Sequence, residues 1–383
     1  MKSPSSQSAD NQPQPAAPSK VALPDPAASF TRRKFIGNAL KFGAGSVAAG
    51  SMLTGNARAG ASRPAGNLPA LAVLPEVPSR VFVEQNGSRL DAANRQGSRF
   101  TSGQTVVNVT ATSAGQDVRV ACPSGTLSRV VLRWETTFPG DTLFLGDHWE
   151  RGYGDLQWRF LQPERIMPWY FAAHHAASGR TFMAGVKTQP AALCFWMADG
   201  SGISLWLDFR NGGGPCRPGD REIAAATIVS LAEEEETPIA ALTRFCRVMC
   251  PKPRLAAAPV CGNNNWYYAY GRDFDADAMR RDAAFLADIS SGHKNRPYCV
   301  IDAGWTPGSV CPGGPWTAGD ARRFPDMPGL AADMKKMGVR PGIWFRPTAL
   351  MTVTDRRLLR AGPVSAREKP LDLTLPEVLA LVH

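Results

Sequence analysis

Asp302 closes a continuous apolar run, Tyr298-Cys299-Val300-Ile301, and is followed by Ala303-Gly304-Trp305. A carboxylate there can cap a turn, accept hydrogen bonds from a ligand, or act as acid, base or nucleophile. Similar polar and aromatic groups follow two other short runs. Asn263, Asn264, Asn265 and Trp266 come after Val260-Cys261-Gly262, and Trp344 with Arg346 comes at the end of Arg340–Phe345. Trp316 sits in the long loop between the second and third runs, with Asp320 and Asp326 beyond it. An aspartate in such a loop reads first as a solvated turn residue, and the alternative is that it swings into a site.

Other chemistries find less support. Eight cysteines are present, but no C-x-x-C pair, and Cys246 and Cys250 lie four apart without nearby histidines. Two cysteines on a helix face are the reading there, and no metal site is expected. His174-His175 is the one histidine pair among five scattered histidines. No G-x-G-x-x-G turn follows the first run of the C-terminal part, which disfavours a nucleotide fold, and no cofactor is expected. The formal charge is +10, of which half falls in residues 1–59, where seven basic residues face two acidic ones. The remainder carries no dense Lys/Arg stripe interleaved with aromatics, so a nucleic-acid partner is not expected.

The elements that must position these groups come in three parts. Residues 1–30 are rich in Pro, Ser, Ala and Gln and predict disorder. Thr31-Arg32-Arg33-Lys34-Phe35-Ile36-Gly37 follows, then a weakly apolar run from Ala39 to Leu53, then Ala57-Arg58-Ala59. Charged region, short apolar region and small-residue site make the layout of a twin-arginine signal, cleaved after Ala59. The expected partner is the twin-arginine translocation machinery and the expected location is periplasmic or secreted. Lys41 and five glycine or serine residues make the run too polar and short for a stable membrane span.

Residues 60–258 predict an all-β domain. Ten or more runs of strand length, among them Thr105–Thr110, Arg129–Trp134 and Ile203–Phe209, imply a large β-sandwich. Trp206, Asp208 and Arg210 alternate along one run and read as a solvated strand face, with a ligand-facing role as the alternative. A closing helix starts at Thr237 and Pro238, with Ile239, Leu242, Cys246 and Met249 at helical spacing. A Pro- and Ala-rich linker then leads to residues 259–383, which read as βαβαβ: strand, aromatic loop, helix from about Asp275 to Ile289, strand, loop, helix Met327 to Met337, strand. In the first of these helices Phe285 is expected on the buried side. Steps of about 40 residues suit the βα units of a (β/α)₈ TIM barrel, whose active site lies at the carboxyl ends of its strands.

Four stretches resemble the α-galactosidase (melibiase) clan of glycoside hydrolases, in the branch with a large N-terminal β-sandwich. They are Asn264-Asn265-Trp266-Tyr267-Tyr268-Ala269-Tyr270-Gly271, Ile301-Asp302-Ala303-Gly304-Trp305, Gly338-Val339-Arg340-Pro341-Gly342-Ile343-Trp344 and Leu371–Val378. The resemblance implies retaining hydrolysis of terminal α-linked galactose by two carboxylates about 5–5.5 Å apart. It implies an oligosaccharide or glycoside partner, with Asp302 accepting from sugar hydroxyls. Trp266, Trp305 and Trp316 stack on sugar faces or serve packing; Arg346 hydrogen-bonds hydroxyls or pairs with a carboxylate. Ala303 stands where the clan usually has a second aspartate, which removes one charge-assisted sugar contact worth roughly 1.5–3 kcal/mol. The clan's nucleophile and acid/base follow its fourth and sixth strands, so the reacting carboxylates are expected beyond His383. The fold expectation is therefore a β-sandwich followed by the first three βα units of a barrel. The functional expectations are a glycosidase fragment, a non-catalytic carbohydrate-binding protein, or an inactive truncated product.

Overall fold

The computed structural model describes residues 74–210, 214–271, 273–307, 316–347, 355–359, 370–371 and 375–382. The export segment with Arg32, Arg33 and Ala59, the first residues of the 60–258 domain and Cys311 lie outside the described residues.

Fifteen strands fill residues 80–233: β1 (Arg80–Gln85), β2 (Asp91–Ala92), β3 (Asn94–Gln96), β4 (Arg99–Ser102), β5 (Thr105–Thr112), β6 (Gly115–Cys122), β7 (Leu127–Glu135), β8 (Leu143–Gly146), β9 (Arg159–Phe160), β10 (Met167–Pro168), β11 (Tyr170–His175), β12 (Arg180–Val186), β13 (Leu193–Asp199), β14 (Gly202–Asp208) and β15 (Gly219–Glu233). They form a six-stranded sheet, β10-β13-β14-β7-β1-β2, and a nine-stranded sheet, β3-β4-β5-β6-β15-β12-β11-β8-β9. Period-two alternation sends Val107 and Val109 of β5, Val118 and Val120 of β6, Val130, Leu132 and Trp134 of β7, and Leu205 and Leu207 of β14 into one apolar core shared by both sheets. Each such side chain, fully buried, contributes about 1.5–3 kcal/mol.

Helix α1 (Pro238–Met249) packs on Ala172 of β11, Met183 of β12 and Val229 of β15, on the far side of the nine-stranded sheet. Thr237 caps it, its hydroxyl accepting from the Ala240 N–H at 3.3 Å. The buried stripe is Ala241, Leu242, Phe245 and Met249. Ile239 and Cys246, expected in that stripe, face outward, because the buried stripe runs through Ala241 and Phe245 instead.

Trp206 and Asp208 are not on a solvated face. Trp206 is 6% exposed, and its ring lies parallel to that of Phe195 at 5.6 Å. Asp208 takes a bidentate contact from Arg210 at 2.7 and 3.0 Å and another from Arg129 Nε at 3.2 Å. Arg129 also reaches Glu84 at 2.8 Å. Two acids and two guanidiniums thus satisfy one another across β1, β7 and β14, which is what permits their burial.

Beyond α1 the chain forms β16 (Gly262–Asn264), α2 (Trp266–Ala269), α3 (Ala276–Ile289), β17 (Tyr298–Ile301), α4 (Met327–Lys336) and β18 (Arg340–Ile343), with α5 (Pro376–Val382) further on. The three strands are parallel in the order β16-β17-β18, with Asn264 opposite Val300 and Ile301 opposite Ile343. Met279, Ala283 and Leu286 of α3 and Leu330 and Met334 of α4 close over Cys299 and Ile301. Asp275 caps α3 by accepting from the Ala278 N–H, and Asp326 caps α4 by accepting from the Gly329 N–H, both at 2.8 Å. Gly338, just past α4, has φ of +78°, the left-handed stop that a helix end favours.

Two expectations change here. The aromatic loop holds one helical turn, α2, ended by Tyr270 at φ of +46°. Phe285 is 64% exposed, because the buried face of α3 is carried by Ala276, Met279, Ala283 and Leu286.

Candidate functional site

Parallel pairing brings the carboxyl ends of β16, β17 and β18 side by side, and a hydrogen-bond relay joins the first two. Asn264 Nδ2 donates to Asp302 Oδ2 at 2.5 Å, while Asn264 Oδ1 accepts from the Trp266 N–H at 2.8 Å. The Asp302 N–H donates to Asn265 Oδ1 at 2.8 Å, and the Ala303 N–H donates to Asp302 Oδ1 at 2.6 Å. Each carboxylate oxygen of Asp302 therefore has one protein donor and keeps a second lone-pair direction. Asp302 is 8% exposed and Asn265 is fully buried. Asn265 Nδ2 and Asn263 Oδ1 are buried without a hydrogen-bond partner.

Gly304 fixes the turn after Asp302. Its φ is +108°, and a Cβ on it would lie 2.2 Å from the Gly271 carbonyl oxygen. Only glycine permits the loops after β16 and β17 to approach this closely. The loop before α4 is fastened to the same turn, since the Asp320 N–H donates to the Trp305 carbonyl at 2.8 Å and Arg323 Nη2 donates to the Gly304 carbonyl at 2.6 Å. Asp320 itself serves the turn. Its carboxylate accepts from the backbone of Arg323 and Arg322, and these bonds with the two guanidinium charges hold it below the usual carboxylate range against a smaller opposing effect of burial.

Three indoles gather at the end of β17 and β18. Trp305 is 3% exposed and its Nε1–H donates to the Trp344 carbonyl at 2.8 Å. The Trp316 ring lies 5.9 Å from that of Trp305 and 5.7 Å from that of Trp344. The Trp344 N–H in turn donates to the Ile301 carbonyl at 2.8 Å, extending the sheet by one bond. Below the indoles, Ile301, Met327, Met334 and Ile343 join Trp305 and Trp316 around a cleft of about 450 Å³.

Of the residues singled out from sequence, the relay brings Asp302 and Trp266 together, and Trp305 and Trp316 touch each other. Trp266 is half-buried and meets Tyr270 edge-on at 6.1 Å. Arg346 is half-buried three residues past the end of β18. Sequence reasoning placed the asparagines at a strand end but did not assign Asn264 and Asn265 their part in holding Asp302. A short polar triplet before an aromatic run was the available signal. On the outer side of α2, the Tyr268 hydroxyl donates to the Asp282 carboxylate; partial burial, this bond and the Asp282 charge push the Tyr268 hydroxyl pKa up. Among the described residues no three His, Cys, Asp or Glu side chains gather in a way that could hold a metal ion. No helix of the described residues is long and apolar enough to cross a membrane.

The chain is similar to the GH36 alpha-galactosidase AgaB from Geobacillus stearothermophilus at 15% identity and a TM-score of 0.47, over 81% of this chain and 48% of that one. It is similar to TtGalA, the alpha-galactosidase from Thermus thermophilus solved with p-nitrophenyl alpha-D-galactopyranoside, at 16% identity and a TM-score of 0.42, over 79% and 60% of the two chains. A third similarity is to the alpha-N-acetylgalactosaminidase NagBb from Bifidobacterium bifidum, at 11% identity and a TM-score of 0.45, over 81% and 62%. The chain thus spans 48–62% of the length of these three. No protein-family profile and no curated protein matches the chain.

Proposed function

We propose that the chain belongs to an exported carbohydrate-active protein of the α-galactosidase kind and that the ends of β16, β17 and β18 bind a terminal α-linked galactose or a related sugar. In this reading the two antiparallel sheets are the N-terminal sandwich, and the parallel strands with α3 and α4 are the first three units of a (β/α)₈ barrel. The relay from the Trp266 backbone through Asn264 to Asp302 supports it: a buried carboxylate with lone pairs to spare is tied to a segment that opens with an indole, and acceptors and apolar faces are what a pyranose needs. In this reading residues 259–383 supply sugar recognition through Asp302 and the aromatic residues at the strand ends. Export through the twin-arginine machinery rests on Arg32-Arg33, the short apolar run and Ala57-Arg58-Ala59.

The test is calorimetric titration of the protein with methyl α-D-galactopyranoside, beside methyl α-D-glucopyranoside. Asp302→Asn retains the shape and loses the charge. It is expected to weaken galactoside binding about 10- to 100-fold, the worth of a hydrogen bond to a charged acceptor. Equal affinity of wild type and variant refutes the assignment. A fusion of residues 1–59 to a folded reporter, followed to the periplasm with Arg32 and Arg33 intact or replaced by lysine, tests the export reading.

A further inference from the structure

We propose that Asn264 is a positioning residue of this site, an uncharged clamp that aims the Asp302 carboxylate and ties it to the Trp266 segment; this role rests on the carbohydrate reading above. The amide has one orientation that satisfies both contacts. Its Oδ1 takes the Trp266 N–H at 2.8 Å, so its Nδ2 faces Asp302 Oδ2 at 2.5 Å. The opposite oxygen of Asp302 is fixed by the Ala303 N–H at 2.6 Å and its own N–H by Asn265 at 2.8 Å. The remaining lone pairs are left for a ligand's hydroxyls. A neutral donor orients the carboxylate without neutralising it, whereas a lysine or arginine there would compete with the sugar for the charge. Because the same amide holds the start of α2, the ring of Trp266 and the carboxylate of Asp302 are set by one side chain.

Replacing Asn264 by aspartate retains the acceptor for the Trp266 N–H and removes the donor to Asp302. Two carboxylates then face each other within hydrogen-bond distance. Such a pair holds one proton between them at a pH where a lone carboxylate has lost it, and that proton restores the bridge. Once both are ionised they repel, and Asp302 turns away. Among the described residues, other titratable or charged groups on the segments that follow the strands include Tyr267 and Tyr270 on the α2 side, Asp320 and Arg323 on the loop before α4, and Arg346 past β18. They are common to all variants, so differences between variants report position 264.

Galactoside affinity is measured with methyl α-D-galactopyranoside for wild type, Asn264→Asp and Asn264→Ala at about pH 5.5 and about pH 8, with thermal melts of each. For Asn264→Asp, the ratio of affinity at the lower pH to that at the higher is expected to rise at least about threefold above the wild-type ratio. Asn264→Ala is expected to lose about tenfold at both pH values, with a melt lowered by the loss of its bonds to Asp302 and the Trp266 N–H but still cooperative. If wild type binds and Asn264→Asp follows the wild-type ratio, the positioning role is overturned while the carbohydrate reading stands. A wild type that fails to bind overturns both. Should Asn264→Asp not fold, a folded Asn264→Ala with full affinity overturns the role.

Discussion

Asp302 and its immediate neighbours show how much a single side chain can owe to residues with no charge. Its buried carboxylate is held by one amide, one backbone N–H and the adjoining turn, so the cost of burying it is met by hydrogen bonds. Cys299, two strand positions below Val300's neighbour Ile301 and on the same side, has the opposite surroundings. Burial against α3, with the Asp282 charge adding to it, pushes its thiol up to about 12. Cys194 of β13 is likewise pushed up to about 12 by burial. Neither forms thiolate near neutrality, so iodoacetamide at pH 8 is expected to label exposed Cys261 and spare Cys194 and Cys299 until denaturant is added. Peptide mass spectrometry of native and unfolded protein checks this; native labelling of Cys299 at the Cys261 rate would contradict the packing of the β17 face. At this scale the sequence was informative where chemistry and pattern coincide, as with a carboxylate closing an apolar run. It was silent on Asn264, because an asparagine that caps, turns or clamps leaves the same mark in a single chain. It was silent also on the burial of Trp305, since an indole's size lets it serve a core or a ligand equally well.

At the scale of elements, ends were more legible than middles. Thr237, Asp275 and Gly338 mark boundaries because each satisfies or stops a helix by its own side chain or backbone freedom. Thr237→Ala removes the cap of α1 and is expected to cost about 1 kcal/mol in chemical denaturation. Strand β11 lacks the alternating signature for a physical reason. Phe171 and Ala173 enter the core between the sheets while Ala172 meets α1, so both of its sides are covered and the apolar–polar alternation vanishes. Helix α2 was missed because a single turn has no period to detect. The turn after β17 carries its own test. Gly304→Ala places a methyl against the Gly271 carbonyl in a backbone conformation that L-residues avoid, and a loss of about 2–3 kcal/mol is expected. Because the displaced turn begins at Asp302, galactoside affinity is expected to fall with it; unaltered stability and affinity would show that the loops after β16 and β17 do not meet.

Across the molecule, the two antiparallel sheets depend on buried acids as well as on their apolar core. Burial alone would raise the Asp208 carboxyl, but the hydrogen bonds and charge of Arg210, with the charge of Arg129, outweigh it and hold the group below the usual range. Asp147 beside Arg151 and Asp199 beside Arg133 are lowered in the same manner, burial opposing and the guanidinium contacts prevailing. A lowered folded-state pKa stabilises above the unfolded carboxylate value of about 3.9, and that contribution is lost as pH falls from there through the folded-state values. The melting temperature is therefore expected to hold between about pH 7 and 5 and to drop steeply below about 4. Asp208→Asn leaves Arg129 and Arg210 facing a neutral group and is expected to cost about 3 kcal/mol at neutral pH while flattening the acid limb. An acid limb equally steep in the variant would place the dependence elsewhere. The β-rich class and the three-strand parallel sheet were legible in run length and spacing. The ionic crossing of β1, β7 and β14 was not, for partners more than forty residues apart in sequence declare themselves only once register is known.

The indole cluster carries one last consequence. With ring centres 5.7 and 5.9 Å apart, Trp316 is near enough to both Trp305 and Trp344 for their electronic transitions to mix. The trio should absorb polarised light as a single chiral chromophore, adding to the bands of the Trp134–Trp196 and Trp149–Trp169 pairs a bisignate circular-dichroism component that Trp316→Phe removes. Since Trp344 follows β18 directly, anything that settles against that strand's end would change the sign pattern or depth of the band, making it a built-in optical gauge of what the third strand touches.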